Sequence, residues 1–214
     1  MIQVGEVVRE MAERLGDAWT SELPTRAEVD RAKREERLAF SRAALASSDR
    51  AALVDDTQGD TPALALVRRF HALVLGAKPK DGRPMQILAL FGPPGVGKTV
   101  AASWLLAREL GQYTTIAECT RVERANYGPD RDRWEQLLRT RVLVIDDVGP
   151  EPDAQVQRVM FELVNQRLAR WTVITGNVTA EQWRTRYDAR TTQRVDHVGR
   201  VCEVGGESMR RGPA

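Results

Sequence analysis

The sequence predicts an α/β fold in which a parallel five-stranded sheet lies between helices. Five short apolar segments of strand length alternate with helical segments between residues 86 and 204, and this alternation is typical of a parallel sheet covered on both faces. The segment 142–146 is a β-branched run followed by a turn, as expected for a buried parallel strand. The first apolar segment leads directly into a glycine-rich turn and then a helix.

Each predicted strand is a short apolar or β-branched segment, and the ranges are 86–91, 114–118, 142–146, 171–175 and 200–204. The longer helices between them are predicted at 100–110, 133–138 and 154–170. Gly111 marks the end of the first of these helices, because glycine commonly terminates a helix. The third is amphipathic, with apolar residues recurring on one face. Two short helices are predicted before the last strand.

The first 60 residues predict a helical N-terminal segment, 1–60, that precedes a larger domain, 61–214. The stretch 26–45 is dense in charged residues and alanine, and Pro24 is well placed to begin a helix. Gly59 and Pro62 then interrupt the helical pattern, which resumes with apolar residues from position 63. We expect the N-terminal segment either to dock on a partner protein or to pack on the domain that follows it.

Composition excludes several classes of protein. The chain has 214 residues, of which 42% are hydrophobic and 29% charged, an ordinary balance for a soluble globular protein. Lys plus Arg is 32 and Asp plus Glu is 30, so any contact with nucleic acid must come from local patches. No stretch approaches 18 apolar residues, so we expect no transmembrane span and no membrane partner. Cys119 and Cys202 are far apart in the sequence, so a disulfide framework is not indicated. We therefore expect a reducing, cytoplasmic setting.

The glycine-rich turn matches the phosphate-binding pattern G-x-x-x-x-G-K-[ST] in full. Its residues are Gly92, Pro93, Pro94, Gly95, Val96, Gly97, Lys98 and Thr99, with Val100 directly after them. Glycines let backbone N–H groups converge on phosphate oxygens, and the helix N-terminus adds a positive dipole end. Lys98 can reach the β- and γ-phosphates, and the Thr99 hydroxyl can bind Mg²⁺. The sequence therefore predicts a site for ATP and Mg²⁺.

Two aspartates, Asp146 and Asp147, lie at the carboxyl end of the apolar strand 142–146, where open α/β sheets bind ligands. We expect Asp146 to hold Mg²⁺ through water and Asp147 to orient or activate the attacking water. A carboxylate beside the metal suits hydrolysis better than transfer to a bound acceptor. The other interpretation is a solvated Asp-Asp turn, which the phosphate-binding loop upstream makes a minor possibility.

The predicted strand 114–118 lies between the phosphate-loop strand and the acidic strand in the sequence. With this additional strand the chain resembles the division of P-loop NTPases to which AAA+ ATPases belong. Nucleotide kinases that have the phosphate-binding loop lack the additional strand. This favours a hydrolase or a motor protein. We therefore expect an AAA+-type P-loop NTPase fold.

Several segments together resemble the DnaC/IstB family of AAA+ ATPases, which load replicative helicases or assist transposases. They read GPPGVGKT, VLVIDDVG, FELVNQRLARWTVITGN, YDARTTQRV and VCEVGGESMRR, and the similarity extends from about Leu88 to Arg211. The sequence departs from the family in two places: Met209 replaces an aromatic residue, and the segment 100–102 reads Val-Ala-Ala where His-Leu-Ala is more usual.

The resemblance implies roles for residues beyond the phosphate loop. Asn177 corresponds to the sensor residue that helps to position the attacking water. Arg194, with Arg190 as second choice, corresponds to the arginine finger that acts on the nucleotide of a neighbouring subunit, although a solvated basic helix face would show the same spacing. The family also implies a homo-oligomer when ATP is bound, and an ATPase that needs the oligomer or DNA for full activity.

A cluster of arginines with one tyrosine resembles the insertion that contacts single-stranded DNA in the DnaC family. Its members are Arg121, Arg124, Tyr127, Arg131 and Arg133. Arginine with an interleaved aromatic residue suits backbone contact and base stacking. Acidic residues dilute the cluster, so the two interpretations are weak, salt-sensitive binding of single-stranded DNA and an ordinary solvated surface.

The resemblance implies an ATP-hydrolysing, DnaC-like loader of a replicative DNA helicase. One alternative is an IstB-like ATPase that assists a transposase. Another is a nucleotide-gated adaptor that binds ATP to hold a partner and rarely hydrolyses it. Asp147 and the paired arginines argue against the adaptor, because a protein that only clamps a partner needs neither.

Overall fold

The structure, a computed structural model, describes residues 61–77, 85–109 and 111–206, together with Ala27 and Arg31, which are helical. The predicted N-terminal segment 1–60 otherwise lies outside the described residues, and so does Met209. Residues 61–206 belong to one compact unit of the chain. No helix in the described part is long and apolar enough to cross a bilayer.

The described residues from 61 to 206 form seven helices and five strands. The strands are β1 (Ile87–Phe91), β2 (Gly111–Thr115), β3 (Val142–Val148), β4 (Trp171–Gly176) and β5 (Gly199–Glu203). The helices are α1 (Pro62–Val74), α2 (Lys98–Leu106), α3 (Ile116–Glu123), α4 (Pro129–Arg139), α5 (Ala154–Gln166), α6 (Ala180–Arg186) and α7 (Ala189–Val198). All strand pairs are parallel, in the order β2-β3-β4-β1-β5. The predicted parallel five-stranded sheet is therefore confirmed.

The order of the strands in the sheet differs from their order in the sequence. The strand that separates the phosphate-loop strand β1 from the acidic strand β3 in the sheet is β4, whereas β2, which lies between them in the sequence, is at the sheet edge beyond β3. Order in the sequence does not predict order in the sheet, because neighbours in a parallel sheet are connected through crossovers and need not be consecutive.

The second strand and two helix ends also differ from the prediction. Strand β2 begins at Gly111 and ends at Thr115, so residues 116–118 belong to helix α3. Thr115 caps that helix, because its hydroxyl accepts a hydrogen bond from the Glu118 N–H at 3.1 Å. Gly111 does not end helix α2 but starts a strand, where a Cβ would lie 2.7 Å from the Val142 carbonyl oxygen. Helix α4 begins at Pro129 rather than 133, with proline in its first turn.

Both faces of the sheet are covered by helices. Helices α1 and α2 pack on one face, and α3 to α7 supply the core on the other. Side chains alternate between the two faces along each strand, so Leu143 and Ile145 of β3 join one core while Val142 and Val144 join the other. This arrangement places the carboxyl ends of β1, β3 and β4 side by side at one edge.

Candidate functional site: a phosphate-binding loop at the carboxyl edge of the sheet

The phosphate-binding loop joins strand β1 to helix α2 and needs its glycines. Gly95 and Gly97 have φ values of 86° and 85°, in the left-handed region that glycine occupies at least cost. At Gly92 a Cβ would overlap the Val204 carbonyl oxygen. Helix α2 starts at Lys98, so the first N–H groups of the helix face the loop. The predicted loop therefore has the geometry that receives phosphate oxygens.

Lys98 connects the loop to the end of strand β4. Its ammonium donates hydrogen bonds to the carbonyl oxygens of Gly92 and Pro93, at 2.8 and 2.7 Å, and to Asn177 Oδ1 at 3.1 Å. The lysine side chain is buried, whereas Asn177 is exposed just after β4. The structure thus brings the predicted sensor residue into direct contact with the predicted phosphate-binding lysine.

Asp146 is buried at the end of the regular part of strand β3, and its carboxylate accepts hydrogen bonds from three side-chain hydroxyl groups. Thr99 donates to its Oδ1 at 3.0 Å, Thr175 donates to the same oxygen, and Tyr113 donates to Oδ2 at 2.5 Å. Such bonds stabilise a carboxylate that is only 3% exposed. The oxygens of Thr99 and Asp146 are of the kind that Mg²⁺ prefers, so these residues fit the predicted metal site.

Asp147 faces away from that buried cluster. The pairing of β3 with β4 shifts by one residue between Ile145 and Val148, which marks a β-bulge. Asp147 is the one non-glycine residue with a positive φ among the described residues, 66°, and it is exposed. Residues in this conformation often lie at functional sites. The bulge therefore buries one aspartate beside Thr99 and presents the next to solvent at the same edge.

Arg190 and Arg194 lie one turn apart on helix α7, as predicted. Both guanidinium groups lie over the ring of Phe161, with 4.7 and 4.8 Å between Cζ and the ring centroid. Arg190 pairs with Asp188 at 2.8 Å, and the hydrogen bonds from Arg190 lower the pKa of Asp188 to about 2. Arg194 instead donates to Asn165 Oδ1 at 3.1 Å.

Neither of these arginines hydrogen bonds to the phosphate-binding loop of its own chain within the described part of the structure. Arg190 has a carboxylate partner, whereas no carboxylate of the described residues pairs with Arg194. An arginine whose charge is not already neutralised is the better donor to an anionic phosphate. The contacts therefore favour Arg194 over Arg190 as the finger, a role that stays a prediction.

The predicted nucleic-acid surface is divided by ion pairs. Arg121 pairs with Asp130 at 2.5 Å, and Arg131 pairs with Glu135 at 3.2 Å. Arg133, also in the cluster, is bound to Glu118, Gln112 and the Tyr113 carbonyl. Arg124 is exposed in the segment between α3 and α4, and Tyr127 there is 88% exposed. Contact of these two side chains with single-stranded DNA stays a prediction.

A pocket of about 350 Å³ adjoins the loop on the β5 side. It is lined by Gly92, Pro93, Asn177, Val178, Thr179, Gln182, Glu203, Val204 and Gly205. The sequence did not point to Gln182 or Glu203, because neither belongs to a recognisable motif. The pocket extends the candidate site from the phosphate-binding loop toward the end of β5.

Tyr113 and Thr175 were also missed by the sequence prediction. Thr175 is the last residue of the predicted strand 171–175, so a polar side chain at a carboxyl strand end was an available signal. Tyr113 immediately precedes the predicted strand 114–118, and placing the start of that strand too late left it outside the sheet.

The family model described as IstB-like ATP binding protein matches residues 82–213, which is more than half of the chain. The chain belongs to the IstB-like ATP-binding family. The matched range contains the phosphate-binding loop, both aspartates, Asn177 and both arginines of α7. No curated protein sequence matches the chain.

Several solved structures have the same fold as this chain. The crystal structure of the DnaC helicase loader superposes with a TM-score of 0.56 and 19% identity, covering 71% of this chain and 96% of that one. The crystal structure of DnaI has a TM-score of 0.55 and 21% identity, covering 74% and 89%. A DNA replication initiation factor has a TM-score of 0.55 and 17% identity, covering 71% and 48%. The predicted AAA+ fold of the DnaC/IstB type is therefore confirmed.

Proposed function

We propose that this chain is an ATPase that hydrolyses ATP in a homo-oligomer and uses the nucleotide state to load a replicative DNA helicase. The observation that carries the ATPase part is the convergence of Lys98 with Asn177 and of Thr99 with Asp146 at one edge of the sheet. Those pairs come from segments remote in the sequence. They meet where the loop and helix α2 would receive a triphosphate.

Each residue has a separate task in the proposed reaction. Lys98 exchanges its carbonyl partners for the β- and γ-phosphates when ATP enters. Mg²⁺, when bound, would be held by Thr99 and Asp146 and would offset the charge of the phosphates. Asp147 accepts a proton from the attacking water, and the Asn177 amide orients that water. The water oxygen bonds to the γ-phosphorus as the bond from that phosphorus to the bridging oxygen breaks, which releases ADP and phosphate.

The neighbouring subunit completes the site. In the described part of the structure Arg194 donates to Asn165 Oδ1 and the Arg190 carbonyl rather than to the loop of its own chain, so it would act on the nucleotide of the next subunit. An arginine supplied in this way neutralises charge in the transition state. The isolated chain is then a slow ATPase.

The variant Asp147→Asn distinguishes between the two hypotheses, an ATPase and a nucleotide-gated adaptor. We expect it to bind ATP as the unaltered protein does and to lose about 10²–10⁴-fold in kcat, the usual contribution of a general base. Lys98→Ala should lose ATP binding itself. Asp132→Asn, an exposed carboxylate on α4, is the matched control and should keep normal turnover. Unchanged turnover in Asp147→Asn would rule out the catalytic role.

The loader is supported by fold similarity to the DnaC helicase loader and to DnaI. The match to the IstB-like family favours a second candidate, an ATPase that assists a transposase. Co-purification with the replicative helicase of the same host or phage distinguishes them, performed with ATP, with ADP and with Lys98→Ala. We expect a complex that forms with ATP and is lost in the variant. No complex, together with ATPase activity that duplex DNA stimulates, would favour the transposition helper.

A further inference from the structure

The edge strand β2 sends one side chain into the candidate metal site. Tyr113 pairs with Val144 in the register of β2 and β3, while Asp146 lies two residues further along β3. Because side chains alternate, Val144 and Asp146 share a face. The phenol hydroxyl of Tyr113 reaches along that face and donates to Asp146 Oδ2 at 2.5 Å.

The hydroxyl donors divide the two oxygens of the Asp146 carboxylate between them. Thr99 and Thr175 donate to Oδ1, and Tyr113 donates to Oδ2. A carboxylate held at both oxygens cannot rotate about its terminal bond without breaking a charge-assisted hydrogen bond. Tyr113 therefore keeps Oδ1 facing Thr99 at the start of helix α2.

The backbone that carries Tyr113 is itself anchored. Arg133 of helix α4 donates to the Tyr113 carbonyl at 2.9 Å and to Glu118 Oε1 at 2.9 Å. The same guanidinium donates to Gln112 Oε1 at 2.5 Å. The backbone that carries the phenol is thus held by Arg133 of α4, which Glu118 of α3 holds in turn.

We propose that Tyr113 is a positioning residue that orients Asp146 for the Mg²⁺–nucleotide complex. The inference rests on the proposed ATPase function and adds a residue from the sheet edge to it. Mg²⁺ demands nearly ideal octahedral geometry, so a small rotation of a carboxylate that meets it through water weakens binding. Side chains that hydrogen bond to metal ligands without touching the metal contribute about 10–100-fold to metal affinity or activity.

The test compares Tyr113→Phe with the unaltered protein by titrating Mg²⁺ into the protein with a fluorescent ATP analogue. We expect the variant to need about 10–100-fold more Mg²⁺ for half-maximal binding. Binding of the analogue in EDTA should be unchanged, because Lys98 and the loop are intact. An unshifted Mg²⁺ requirement, or an equal loss of binding in EDTA, would overturn the positioning role.

Tyr187→Phe is the matched control. It removes a phenol hydroxyl that donates to the Gly149 carbonyl at 2.7 Å rather than to Asp146. Its Mg²⁺ requirement should therefore stay at the normal value, and a shift equal to that of Tyr113→Phe would overturn the proposal.

A second pair of variants covers the case in which Tyr113→Phe does not fold. Thr175→Val removes the other supporting hydroxyl and should also raise the Mg²⁺ requirement, while Thr175→Ser should restore it. Equal requirements in these two variants would contradict the proposed orientation by hydroxyl donors.

The binding assay needs no hydrolysis, so the two proposals fail separately. If the unaltered protein binds the Mg²⁺–nucleotide complex without hydrolysing ATP, the ATPase proposal is wrong and the role of Tyr113 is still measured. If the protein hydrolyses ATP and Tyr113→Phe has a normal Mg²⁺ requirement, only the role of Tyr113 is wrong.

Discussion

Replacing Arg167 with methionine should unfold the domain at a much lower temperature. Arg167 follows helix α5 and its side chain is completely buried, yet no carboxylate of the described residues forms an ion pair with it. Its guanidinium instead donates hydrogen bonds of 2.7–3.1 Å to backbone carbonyls and one hydroxyl. The acceptors are the carbonyls of Leu137, Leu138, Thr140 and Trp171 and the hydroxyl of Thr172.

The size of the effect follows from those acceptors. Burial lowers the pKa of Arg167 to about 9, so the group is still charged at neutral pH. Methionine fills part of the volume but donates nothing, and each buried acceptor left without a partner costs about 1–3 kcal/mol. Some of these carbonyls can reach water or relax, so we expect a total of about 3–5 kcal/mol, which is less than the full penalty summed over the five acceptors.

The assay is thermal unfolding followed by circular dichroism. At about 2–4 °C per kcal/mol for a chain of this size, Arg167→Met should lower Tm by about 6–20 °C. Arg167→Lys keeps the charge but loses the planar guanidinium, so its Tm should lie between those of the unaltered protein and Arg167→Met. Arg170→Met removes a nearby side chain that, among the described residues, donates one exposed hydrogen bond to the Gln166 carbonyl, and it should change stability by less than about 0.5 kcal/mol. Equal Tm values for Arg167→Met and Arg170→Met would refute the reasoning.

Two further predictions concern the surfaces that meet partners. Arg194→Ala should lose about 10³-fold in kcat and Arg190→Ala much less. Mixing Arg194→Ala with Lys98→Ala should recover activity, because each supplies what the other lacks, and no recovery would contradict action between subunits. Arg124→Gln should weaken binding of single-stranded DNA and make it less salt-dependent by about 0.7 in the log–log slope. Tyr127→Ala should cost about 1–3 kcal/mol of stacking, and binding that ignores both changes would place the DNA elsewhere.

Local pattern was sufficient for the phosphate-binding loop and the acidic pair. The loop needs glycines, a lysine and a threonine at set spacings because backbone N–H groups and side chains must converge on one phosphate chain. Because those requirements apply to eight consecutive residues, the loop can be recognised from the sequence alone. Asp146 and Asp147 were recognised because a continuous apolar strand ends at them. The structure adds that a bulge, with Asp147 at φ 66°, turns one inward and the other outward.

The sequence alone determined the number and type of the strands, the phosphate-binding loop and the identity of the charged groups at the carboxyl edge of the sheet. Each of these depends on residues that are close together in the chain. Tertiary structure alone decided that β4 lies between β1 and β3. It also decided that Asn177 meets Lys98 and that Tyr113 meets Asp146. These contacts join residues 79 and 33 positions apart. They arise from the packing of crossovers on a twisted sheet, which leaves no periodic signal in the sequence.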